Sequence, residues 1–125
     1  MANPNIVNVT TIYGNSSSTS LTTTSATSLV SNAAASGKVF KINSIVVANV
    51  DGTSAADITI NVYSQAALGG TAYPIASTIS VPADATLIVT DKTTSFYLLE
   101  NQSIGATAGT ASDLVVTASW EEINS

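Results

Sequence analysis

From Lys38 onward the apolar positions either alternate with polar ones or gather in short blocks, the two signatures of β-strands. The run Lys38-Val39-Phe40-Lys41-Ile42-Asn43-Ser44-Ile45-Val46-Val47-Ala48-Asn49-Val50 predicts a long strand with an apolar second half, as a buried sandwich strand has. Asp51-Gly52-Thr53-Ser54 is a turn signal. Asp57-Ile58-Thr59-Ile60-Asn61-Val62-Tyr63 then alternates strictly, which places Ile58, Ile60 and Val62 on one face. After Gly69-Gly70, another extended segment begins at Ala72-Tyr73-Pro74-Ile75, and Pro74, lacking an N–H, marks an edge or a strand start. Ile79 and Val81 lead into the turn Pro82-Ala83-Asp84. Further strands are predicted over 87–90, 96–99, 103–107 and 114–120, the last carrying Trp120 in register with Leu114, Val116 and Ala118 and so assigned to the core.

The first 37 residues contain no charge. Ile6-Val7-Asn8-Val9-Thr10-Thr11-Ile12-Tyr13 is β-branched and aromatic and predicts a strand; Gly14-Asn15-Ser16-Ser17-Ser18 predicts a turn or loop. Residues 19–30 read as extended, and 31–37 as a second small-residue break. A neutral, β-prone segment left unpaired is an aggregation hazard, so it must pair, either with its own sheet or with a neighbouring subunit. Both partners stay open at this point. The candidate protein-contact residues are Ile6, Val7, Val9, Ile12, Tyr13, Leu21, Leu29 and Val30.

Eight or nine short strands without helical periodicity predict an all-β antiparallel β-sandwich, jelly-roll or Ig-like, with an extended N-terminal β-prone arm. The expected division is 1–37 for the arm and 38–125 for the sandwich. The 125-residue length fits one domain.

Composition sharpens the functional expectation. Only 9% of residues are charged, against about 25% in ordinary soluble domains. Three lysines, no arginine, no histidine and eight acids give a net charge of −5, which opposes nucleic acid as a partner. So little charge suits a surface that other subunits cover. Met1 is followed by Ala2-Asn3-Pro4 with no basic stretch or apolar core, so no secretory signal is expected, and no apolar run has membrane-spanning length.

Candidate chemistry is sparse. Without His or Cys the common nucleophile–base pairs are unavailable, and no motif ties a serine to one of the lysines. Asp51, Asp57, Asp84, Asp91 and Asp113 fall in turns or at strand ends, where Asp serves the backbone; Glu100 is the exception. Calcium needs only oxygen ligands, and Asp51 and Asp57 with nearby carbonyls are the best candidates, but the spacing of an EF-hand loop is missing. Glu121-Glu122 reads as a solvated end or as the match to a basic patch on a partner. The expectation is therefore no enzyme, no catalytic residue, no cofactor and no metal. A carbohydrate-binding platform is the other possibility, with Tyr13, Tyr63, Tyr73 and Tyr97 as its aromatic candidates.

The order of segments carries a resemblance. A neutral Ser/Thr-rich start precedes Gly37 to Asn49, Asp57 to Tyr63, Ile79-Ser80-Val81-Pro82-Ala83-Asp84-Ala85-Thr86-Leu87, Leu98-Leu99-Glu100-Asn101-Gln102-Ser103-Ile104 and a strand ending Trp120-Glu121-Glu122-Ile123. This resembles the small β-sandwich virion structural proteins of tailed phages, especially those of marine cyanobacteria, from Gly37 to Ile123. It departs where Asn101-Gln102 stands in place of an expected Gly-Asp. The resemblance implies a capsid decoration or cement protein, assembled in the host cytoplasm and bound as a homo-oligomer to the major capsid protein or other virion subunits. A trimer would suit a threefold capsid position. Neck, tail and fibre are the alternative places.

Overall fold

The computed structural model describes residues 4–124. Among the described residues nine strands form: β1 (Thr11–Ser20), β2 (Thr27–Asn32), β3 (Lys38–Asn49), β4 (Ala56–Gln65), β5 (Gly69–Val81), β6 (Thr86–Thr90), β7 (Phe96–Leu98), β8 (Gln102–Ala108) and β9 (Leu114–Asn124). A single 3-10 turn, Lys92–Thr94, separates β6 from β7. No helix among the described residues is long and apolar enough to cross a membrane.

Two antiparallel sheets result. Sheet A runs β1-β9-β3-β6, with β7 continuing the β6 edge along β3; sheet B runs β2-β8-β4-β5. If β6 and β7 are taken as one interrupted strand, eight strands remain. Every connection but the β4–β5 hairpin then crosses from one sheet to the other. That path of two Greek keys is a jelly roll, which decides between the two sandwich topologies.

The core lies between the sheets. Alternating residues supply it: Ile58 and Ile60 from β4, Ile45 and Val47 from β3, Leu114, Val116 and Ala118 from β9, Ile104, Ala106 and Ala108 from β8. Trp120, partly buried, packs against this cluster, as expected for it. In β2, neighbouring Leu29 and Val30 are both buried because the ladder to β8 skips Leu29, a bulge that turns two successive side chains inward.

Two fully buried asparagines clamp the sheets together. Asn32 donates to the Lys38 carbonyl at 2.9 Å and the Leu98 carbonyl at 3.3 Å, and accepts from Ser36 Oγ. Asn49 donates to the carbonyls of Ser54 and Val81, both at 2.9 Å, and accepts the Asp51 N–H at 2.9 Å. Each joins an end of a sheet A strand to sheet B or its loop, where the ladders cannot reach.

Most strand expectations from residue 38 onward match the structure, within a few residues at the ends. Three expectations need correction. The N-terminal strand starts at Thr11, not Ile6, and it continues through Gly14-Asn15-Ser16-Ser17-Ser18, where a turn was expected. Ladder bonding to β9 overrides the weak local preference of glycine and serine. The chain breaks instead at 21–26. Glu121 and Glu122 are half-buried members of β9, not a solvated end.

Candidate interaction surface

The N-terminal residues expected to make contacts divide into two sets. Leu21, Leu29 and Val30 lie in the core between the sheets. The Leu21 backbone also donates to the Leu114 carbonyl and accepts from the Ser112 N–H, both within 2.9 Å, so it is fixed on both sides. Ile6, Val7, Ile12 and Tyr13 remain exposed, Val7 at 91% and Tyr13 at 58%, and Val9 is half-buried. The segment pairs within its own chain: β1 to β9 in sheet A, β2 to β8 in sheet B. The expected boundary at residue 37 therefore falls in the β2–β3 connection of one continuous jelly roll.

β1 differs from the other strands in what holds it. None of its side chains enters the core cluster. Its attachment is the ladder of ten consecutive pairs with β9, together with polar contacts: Asn15 to Glu122, Ser18 to Thr117 at 2.9 Å, and Asn124 to Thr11 at 3.1 Å. Glu122 also meets Lys38 Nζ at 3.5 Å.

The outer face of sheet A follows from the registers. Ser20, Val115, Ala48 and Thr86 lie side by side across β1, β9, β3 and β6. Ser18, Thr117, Val46 and Ile88 form the next row, and Ser16, Ser119 and Ser44 a third. These rows hold no charged residue, and Ile88 is 61% exposed. Charge returns only in the row of Gly14, Glu121, Lys41 and Tyr97, where Glu121 and Lys41 are cross-strand partners.

The acids are unevenly placed. Asp51, Asp57, Asp84 and Asp113 sit at the end where β3 finishes and β9 begins, which has no lysine. Asp51 and Asp57 thus share an end, as the calcium reading required, yet no group of acids among the described residues is arranged to hold a metal ion. Asp51 instead accepts the N–H and hydroxyl of Thr53, bonds that hold its carboxyl below the usual aspartate range. Asp91 is held low in the same way by the hydroxyl and then the N–H of Thr93, capping the 3-10 turn.

The four tyrosines do not form one platform. Tyr63 is buried, and Gly105 of β8 leaves room for its ring and for Leu68, since a Cβ there would stand 2.7 Å from Leu68 and 3.0 Å from Tyr63. Tyr13 and Tyr97 lie at opposite edges of sheet A, and Tyr73 lies on β5 in sheet B. No cavity is present among the described residues.

No protein-family model and no curated protein matches the chain. Among solved structures, it is similar to a chain from Bacillus endospore appendages, described as a novel family of disulfide-linked pili, at 18% identity and a TM-score of 0.51. The match covers 92% of this chain and 90% of that one. At that identity the likeness is one of fold.

Proposed function

We propose that this chain is a structural subunit of a virion, a capsid decoration or cement protein that acts by contact with other subunits and not by catalysis. The observation that carries the contact role is the outer face of sheet A, whose three uncharged rows expose Ile88 and the edges of Val46 and Val115. An uncharged face of small hydroxyls and β-branched side chains costs less to desolvate than a charged one, and covering the exposed part of Ile88 alone contributes about 1–2 kcal/mol. Repeated over many copies, such contacts sum through multivalency. The virion setting rests on the sequence resemblance.

The jelly roll shared with the endospore appendage chain supports a second setting, a subunit of a surface filament. Any such filament would be held without this chain's own disulfides, because it has no cysteine. Both settings use the same face. The test is to replace Ile88→Lys and Val46→Lys together and measure incorporation into particles or filaments purified from producing cells. The reading expects incorporation to drop at least tenfold while the isolated chain stays folded. Undiminished incorporation would overturn it.

A further inference from the structure

A two-sheet sandwich has four open strand edges, and natural sheets blunt such edges to prevent indiscriminate pairing. Three of the four are blunted here. The ladder of β5 to β4 shifts register three times, β5 contains Pro74, and Thr78 takes φ of 49°. The β2 edge is six residues long, bulged, and bridged by the β4–β5 connection, where the Ala67 N–H donates to Ser31 Oγ at 3.0 Å. The edge formed by β6 and β7 is interrupted by the 3-10 turn carrying Asp91 and Lys92.

The fourth edge has none of these devices. β1 runs for ten residues without a register shift, a proline or a charge, and has a strand neighbour on one side only.

We propose that this edge joins a second copy of the chain, β1 pairing antiparallel with β1 of that copy about a two-fold axis through Ser16, so that directly opposed residues share a face. Ile12 then faces Ser20, Tyr13 faces Thr19, Gly14 faces Ser18, Asn15 faces Ser17, and Ser16 faces its own counterpart. A self-complementary edge of this kind gives an isologous contact, with about ten new backbone hydrogen bonds. The nearest acids, Glu121 and Glu122, stand on β9 one strand behind the edge. Counterparts in the two copies are at least three strand spacings apart, about 14 Å, well beyond the screening length of about 8 Å at physiological salt. No charge opposes the joint. The contact goes beyond the covering of sheet A's outer face, and different substitutions test the two. It fixes a pair, where the resemblance implied a trimer.

The experiment uses the full chain and its lack of cysteine. In the double variant Gly14→Cys/Ser18→Cys, the two positions of one chain are about 13 Å apart along a strand, too far for a disulfide, whereas Gly14 of one copy and Ser18 of the other are directly opposed and within bonding range. Sedimentation of the unmodified chain should give a dimer, and mild oxidation of the double variant should convert most of it to a covalent dimer. A monomer or trimer in sedimentation would overturn the proposal, as would a dimer whose double variant stays uncrosslinked. Association only with some other protein would overturn it too. If the double variant does not melt as the unmodified chain does, hydrogen exchange of the unmodified chain decides: protection of 11–20 must rise on dimerisation.

Discussion

Asn49 offers the most demanding test of how the sandwich is closed. Replacing it with alanine removes three hydrogen bonds at once and leaves the carbonyls of Ser54 and Val81 and the N–H of Asp51 without that partner. The bond to Val81 is buried, so its carbonyl loses about 2 kcal/mol, within the 1–3 kcal/mol cost of an unsatisfied buried group. The other two are partly accessible, and water replaces most of what they lose, leaving about 0.5 kcal/mol each. The expected cost is about 3 kcal/mol, a large share of the roughly 5–15 kcal/mol that holds a domain together. At this size it corresponds to a fall in Tm of about 10 °C. Asn49→Asp should cost more at neutral pH, because it turns the donor into a carboxylate oxygen facing two carbonyls. Urea unfolding with a constant slope would measure both. A loss below about 1 kcal/mol for Asn49→Ala, or an aspartate variant no worse than the alanine one, would refute the clamp.

Other consequences can be checked with the same assays. Ile60→Ala opens a cavity in the fully buried core and should cost about 3–4 kcal/mol. Gly105→Ala should destabilise by about 1–3 kcal/mol, since its methyl group meets Leu68 and Tyr63, whereas Gly14→Ala, facing open space, should leave unfolding within about 0.5 kcal/mol of the unmodified chain. The Asp51 and Asp91 carboxyls are held below the ordinary aspartate value, so their contribution is complete above about pH 3.9 and is lost as pH falls through and below it. Tm of the unmodified chain should therefore drop below pH 4 more steeply than that of Asp51→Asn/Asp91→Asn, and parallel curves would contradict this.

The sheet-forming half of the chain was legible because its strands alternate or run apolar, as Asp57 to Tyr63 and Ile45 to Val50 do. The strand β1 was not, because Gly14 to Ser18 carry turn chemistry, and only the distant partner β9 makes them extended. For the same reason Leu21, Leu29 and Val30 carry no local sign of burial: short apolar steps among serines reveal it only when the facing strand is known. Asn32 and Asn49 gave no signal at all, since asparagine at a strand end reads as turn-forming, and their role depends on carbonyls far along the chain. The absence of charge was legible from the start, but its concentration into one sheet face and one unblunted edge needed the register.

In the proposed role this jelly roll works while covered by other subunits. Electron cryomicroscopy of intact particles from producing cells tests it most directly. The chain should then lie at symmetric, repeating positions, with the rows of Val46, Ile88 and Val115 against a neighbouring subunit. Absence from every particle, or a bound chain whose sheet A outer face looks onto solvent, would contradict it.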